Sequence, residues 1–251
     1  MSRTQNDDVE ARQAFSDHVR ALRRVVLISL GAVLVAFAVL FYGFCDRLTA
    51  FVMQPVTARG IQAISTAVSD ALVMKFKVCL VAGIVCAMPV IIWQIWTFIA
   101  PALYPRERRI FALLFFCALL LFIAGVVFCY AVIFPLTVDL FREAGNGIAD
   151  SLWNVKDYFN FVVSFVLPFG LMFELPVVMY MLARKGRITY KAAAKARKYV
   201  VLAIAVAAAI LTPPDVVSQI MLMIPMLVLY EISVQIIRFV RNRQASEASA
   251  E

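Results

Sequence analysis

The chain has 251 residues, 63% of them hydrophobic and only 16% charged, with a formal net charge of +8 and a mean hydropathy of +0.88. A soluble domain carries about 25% charged residues, so the composition excludes an ordinary water-soluble globule and points to membrane insertion. The basic excess does not indicate nucleic acid, because Lys and Arg lie in tails and loops beside apolar runs, the pattern of membrane orientation.

In chain order, residues 1–24 form a polar, amphipathic lead-in that contains Asp17 and the single His18. Six apolar runs follow, and a transmembrane helix needs about 20 mostly apolar residues. They are Val25–Phe44, Phe76–Ala100, Ile110–Leu136, Tyr158–Ala183, Tyr199–Leu211 and Val216–Ile237. The first is too long for a signal-peptide core and lacks a small-residue cleavage site, so it reads as a retained span. The fifth has only 13 residues, about 20 Å of helix. It either starts earlier, around Ala192, with Lys195 and Lys198 snorkelling, or thins the bilayer locally. Pro89, Pro168 and Pro176 predict kinks, because each removes a helical hydrogen bond. Pro213 and Pro214 force the last two runs into a hairpin. Residues 25–237 thus read as one transmembrane domain and 238–251 as a tail, whose final ASEASAE is expected to be disordered.

Counting Lys and Arg sets the orientation. The N-terminal tail, the Tyr104–Arg109 turn, the Arg184–Lys198 loop and the C-terminal tail together carry eighteen, and the other side carries six. This places both termini in the cytoplasm. The opposite side holds two longer segments, Cys45–Lys75 and Thr137–Asp157, expected to cap that face.

The apolar runs hold few groups able to do chemistry. Four of the five cysteines lie inside them, none forms a CxxC pair, and no metal-ligand cluster is spaced for binding, so no metal or cofactor is expected. Glycine-rich phosphate loops, GxSxG and HExxH are absent, and one histidine leaves no triad, so an enzyme is not expected. The chemistry should be binding and conformational change. Glu174 is the exception inside a span. It lies nine residues before Ala183, about 14 Å from the helix end. An ionised acid there costs about 2.5–3.5 kcal/mol or more. It must be protonated against a neighbouring helix, paired, or facing water, and Gln219 and Gln94 are candidate polar neighbours. Glu107 lies in a basic turn, where pairing with Arg106, Arg108 or Arg109 is the plain expectation. Glu231 is placed to pair with Arg238 or to line a polar groove. Asp215, after the two prolines, suits a helix N-cap.

Taken together, PVIIWQIWTFIAPALYPRERR (Pro89–Arg109), FGLMFELPVV (Phe169–Val178), LTPPDVVSQ (Leu211–Gln219), FPL (Phe134–Leu136) and DHVRALR (Asp17–Arg23) resemble one family over nearly the whole chain. That family is TatC, the polytopic core subunit of the twin-arginine protein translocase. The resemblance implies an all-α membrane protein whose six kinked spans form a concave, glove-like bundle in the bacterial inner membrane. It implies a cytoplasmic receptor for the twin-arginine signal peptides of folded cargo, working with the single-span subunits TatA and TatB under the proton-motive force, and self-associating within the complex. Glu107 matches the family's acid for the arginine pair, and a carboxylate can accept a guanidinium bidentately. Arg106, Arg108 and Arg109 would orient that turn and compete for Glu107. Phe98 matches a position near the peptide site, Pro55 and Asp215 match outer-loop positions, and Glu174, with Gln219, matches the contact with partner subunits. One departure stands out. The family reads HLxELR before the first span, and here Ala21 replaces that Glu while Arg20 adds a like charge. Asp17, four residues earlier on the same helical face, is expected to substitute in part.

The rival from another class is a proton-coupled small-solute transporter titrating Glu174. No internal repeat supports it, although such repeats often mark secondary transporters.

Overall fold

The computed structural model describes the backbone of residues 2–65, 67, 69–99, 108–145, 152–211 and 216–248, and the side chains of 19–65, 67, 69–97, 112–143, 153–211 and 216–240. The described elements are α1 (Ser2–Gly43), α2 (Cys45–Thr57), β1 (Gln62–Ile64), α3 (Asp70–Ile99), α4 (Arg108–Phe128), a π-helical turn (Cys129–Ile133), α5 (Phe134–Gly145), β2 (Leu152–Asn154), α6 (Val155–Met172), α7 (Leu175–Arg184), α8 (Tyr190–Leu211) and α9 (Val216–Ala248). Five stretches are long and apolar enough to cross a membrane: Val19–Gly43, Asp70–Thr97, Ala112–Glu143, Val155–Arg184 and Val216–Val240. The chain forms two compact units, residues 1–44 with 82–119, and 45–81 with 120–251.

In the first unit, no residue of the apolar window of α1 is buried. Leu27, Leu30 and Val35 face outward, as expected of a helix whose solvent is lipid. The α1 backbone passes close to α3 at Gly83, where an added Cβ would lie 3.0 Å from the Phe37 nitrogen. Trp93 of α3 meets Phe115 of α4 edge to face at 5.3 Å.

The second unit is built around aromatic rings. Phe161, Phe165 and Phe169 are spaced every four residues along α6, which puts them on one face. Phe161 and Phe165 lie 4.2 Å apart, and Phe134 and Phe128 extend the stack from the adjoining span. Two glycines let α4 and α6 touch. A Cβ on Gly125 would stand 2.8 Å from the Phe169 carbonyl, and one on Gly170 would stand 2.5 Å from the Phe122 ring. Lipid supplies no hydrophobic drive for helix association, so such close backbone approach is what binds spans together.

The prolines act unequally. Pro89 and Pro168 stay within continuous helices. Pro176 coincides with a full break, and α7 restarts with Glu174 as its N-cap. The expected kink is therefore a joint over Phe173–Glu174, held by short bonds from Phe173 N to Phe169 O and from Glu174 N to Leu171 O, both 3.1 Å. A second irregularity was not foreseen. Immediately before Pro135 the helix widens into a π turn, with Phe134 N bonded to Cys129 O. Insertion of one residue into the ladder accommodates a proline that has no N–H to give.

The described parts of the two segments expected as caps form regular structure. β1 and β2 pair in parallel, Gln62 opposite Leu152 and Ile64 opposite Asn154. Three side chains clasp α2. Tyr130 Oη donates to Phe51 O at 2.9 Å, Tyr158 Oη donates to Val52 O at 2.8 Å, and Arg59 pairs with Asp139. Tyr158 is buried, so Tyr158→Phe should lower stability by about 1 kcal/mol, the net worth of one buried hydrogen bond, read as a lower thermal midpoint in detergent.

α8 begins at Tyr190, so the helix that holds the short fifth run starts before it. It is not among the five stretches above, because Lys191, Lys195, Arg197 and Lys198 occupy its first turns. α9 continues to Ala248, so the described part of the ASEASAE stretch expected to be disordered is helical. α7, α8 and α9 share a core of Ala183, Ala193, Tyr230, Val234, Ile237 and Val240.

Candidate functional site

Glu174 occupies the joint between α6 and α7. Its backbone caps α7, yet its side chain makes no capping hydrogen bond. The Oε1 atom is buried and, among the described residues, has no hydrogen-bond partner. Phe173, beside it, packs on Phe128 with centroids 5.8 Å apart. A carboxyl oxygen held out of water without a partner is expensive. Beside the joint, Leu171, Met172 and Leu175 line a nearly apolar cavity of about 760 Å³, whose other wall is built from Ala196, Ala203 and Ala207 of α8.

Gln219, expected to accompany Glu174, instead donates to Ala205 O at 3.2 Å and so fastens α9 to α8. The same hairpin is locked further along by an ion pair that sequence reading missed. Arg197 Nη2 and Nε reach the two carboxylate oxygens of Glu231 at 2.6 and 3.0 Å. Arg238, the partner expected for Glu231, instead lies over the Tyr190 ring at 5.9 Å. Tyr230 Oη donates to Ala193 O at 2.9 Å beside the Arg197 pair.

Pro55 is buried within α2. Its carbonyl accepts from Arg59 Nη1 at 3.0 Å, and Arg59 Nη2 donates to Asp139 Oδ2 at 2.8 Å. The hydrogen bond to Asp139 raises the Arg59 guanidinium pKa above its usual range. Further polar ties join α3 to α6: Lys77 Nζ to Asn160 Oδ1 at 2.8 Å, and Lys156 Nζ to the buried Asp70 at 3.6 Å.

In the first unit, α1 and the end of α3 enclose a cavity of about 540 Å³ lined by Arg20, Ala21, Arg24, Trp93, Gln94 and Thr97. Ala21 is thus a wall residue, between two arginines. Phe98 lies in the last turn of α3, Arg109 in the first turn of α4 and Asp17 in α1. Their side chains, and all of Arg106, Glu107 and Asp215, lie outside the described residues.

A family profile described as Sec-independent protein translocase protein (TatC) matches residues 17–225. The chain is 37% identical to the TatC of Carboxydothermus hydrogenoformans over 92% of its own length and 95% of that protein. It is 36% identical to the TatC of Magnetococcus marinus, over 98% of this chain and 92% of that one. A solved structure of the twin arginine translocase receptor TatC superposes with a TM-score of 0.83 at 34% identity, covering 89% of this chain and 99% of that one.

The chain belongs to the TatC family. It is a multi-pass membrane component of Sec-independent protein translocation, working with other membrane proteins of the Tat complex, and it is not an enzyme. Among the described residues, the buried Glu174 Oε1 has no hydrogen-bond partner, and Ala21 stands in a cavity wall with Arg20 and Arg24. The charge of Glu174 in an apolar run was legible in the sequence. The Arg197–Glu231 lock carried no local signal, because its residues lie 34 apart.

Proposed function

We propose that this chain is the signal-peptide receptor of a twin-arginine translocase in a bacterial inner membrane. Six spans, α8 counted among them, place both termini in the cytoplasm, with 1–24 as lead-in, 25–237 as the membrane domain and 238–251 as tail. The α2 segment, both strands and α5 then lie outside. Glu107 accepts the arginine pair of the peptide, Asp17 assists, Phe98 packs beside the peptide, and Arg106 and Arg109 hold the turn. Pro55 and Asp215 shape the outer loops. Single-span TatA- and TatB-type subunits seat near Glu174 and Gln219, copies of the chain associate within the complex, and the proton-motive force drives transport.

The match, over most of its length, to a chain solved as a twin arginine translocase receptor carries this reading. Its test is photo-cross-linking of the membrane-embedded chain to a signal peptide in RR and KK versions. RR-dependent labelling is expected, and equal labelling by both peptides would overturn the receptor assignment.

The buried, unpartnered oxygen of Glu174 supports its role toward partners. Replacing a buried group that lacks a hydrogen bond by an apolar one is nearly neutral or stabilising. Glu174→Leu should therefore leave the thermal midpoint of the isolated chain unchanged or raised, while co-purification of single-span subunits and export fall together. A lowered midpoint with export intact would contradict it.

A further inference from the structure

We infer that Cys45 and Cys79 are a disulfide-forming pair that pins the start of α2 to α3. Both are free thiols in the structure, Cys45 partly exposed and Cys79 fully buried. Two adjacent residues of α2 dock on one turn of α3. The Cys45 thiol donates to the Lys75 carbonyl at 3.9 Å, and the Asp46 carboxylate accepts from Lys75 Nζ at 2.6 Å. Cys79 is one turn beyond Lys75. A helical side chain leans back toward the helix N-terminus and covers the turn before its own Cα. The Cys79 thiol therefore falls over the Lys75 turn, where the Cys45 thiol sits.

The chemistry needs an oxidant, and the inference rests on the proposed orientation, which puts Cys45 in an extracytoplasmic compartment where disulfides persist. Lys75 and Lys77 hold this part of α3 near the water boundary. The oxidant is a dithiol oxidoreductase in its disulfide form, R–S–S–R′. The exposed Cys45, as thiolate, attacks one sulfur, forming Cys45–S–S–R and releasing R′–SH. Cys79 then loses its proton and attacks the Cys45 sulfur, forming the Cys45–Cys79 bond and releasing R–SH. Two electrons leave the cysteines, and the two thiol protons end on R–SH and R′–SH. Burial of Cys79 orders the steps, since an outside oxidant reaches it only through Cys45.

Cells expressing the full chain are dissolved in denaturant with excess N-ethylmaleimide, which blocks every free thiol. The chain is then reduced, and newly exposed thiols are tagged with a polyethylene glycol maleimide. Two tags are expected on the native chain and none on Cys45→Ser or Cys79→Ser. In parallel, Cys45 of the Cys79→Ser chain is labelled in intact cells with a membrane-impermeant maleimide. No tags on the native chain, with Cys45 labelled from outside, overturns the pair and leaves the orientation standing. No outside labelling of Cys45 overturns the orientation itself. Purified chain, first fully reduced and then treated with oxidised glutathione, should fall from five titratable thiols to three, while each serine variant forms no internal bond. Five remaining thiols would show that the sulfurs do not meet.

Discussion

Glu107→Gln is expected to weaken capture of a twin-arginine peptide roughly ten- to hundredfold. A hydrogen bond to a charged group contributes about 1.5–3 kcal/mol, and each 1.4 kcal/mol is about a factor of ten. The amide keeps the size of the carboxylate and loses both the charge and one of the two acceptors that a guanidinium fork engages. The measurement is peptide affinity for the purified chain in lipid discs, with RR and KK peptides side by side. The variant should close the gap between them, and added salt should narrow it for the native chain, since the proposed orientation puts this turn at the water surface. An unchanged RR affinity would remove Glu107 from the site. The departure at position 21 makes a second arm. The cavity wall there carries Arg20 and Arg24 around Ala21, so Ala21→Glu should tighten RR binding, and Asp17→Asn should weaken it by less than Glu107→Gln does.

Gly170→Leu should cost at least about 3 kcal/mol, the upper end of the usual cost of overpacking a core. Even a single Cβ at this position would sit 2.5 Å from the Phe122 ring. Phe122 cannot swing away, because it is fully buried. The expected readouts are a lower thermal midpoint in detergent and faster proteolysis, graded from Ala to Leu. Gly31→Leu is the control, since nothing lies within 4 Å of a Cβ there. Phe122→Ala opens space on its own, so the double variant should be less damaged than the two single losses together predict. Strict additivity would mean that the close approach of α4 and α6 does not limit the fold.

What the sequence could show depended on how local each feature is. Apolar runs are contiguous, so five of the six expected spans meet helices long and apolar enough to cross a membrane. Pro176 carries its own mechanism, a missing N–H, and so does the break beside it. Glu174 was found because a charge inside a lipid-length run is costly in any fold. By contrast, the clasp of Tyr158 on α2 joins residues 106 apart, and the Arg59–Asp139 pair joins residues 80 apart. No periodicity announces such contacts. The partner of Glu231 shows the same limit. Arg238, two turns ahead on the same helix, was the local choice, whereas Arg197 comes from the other arm of a hairpin. The π turn escaped because Pro135 permits either a kink or a widened turn, and packing chooses between them. Glu107 was singled out by family resemblance, since its basic neighbours offered an ordinary surface pairing.

The joint at Phe173–Glu174 divides Val155–Arg184 into two levers instead of one beam. The second lever, α7, shares its core with α9, so it turns with that helix. Because Pro176 has no amide hydrogen to donate, no regular ladder bond at that residue has to be broken for the levers to swing. A tilt imposed on α9 is therefore expected to rotate α7 about this pivot and to move the Glu174 side chain mounted there.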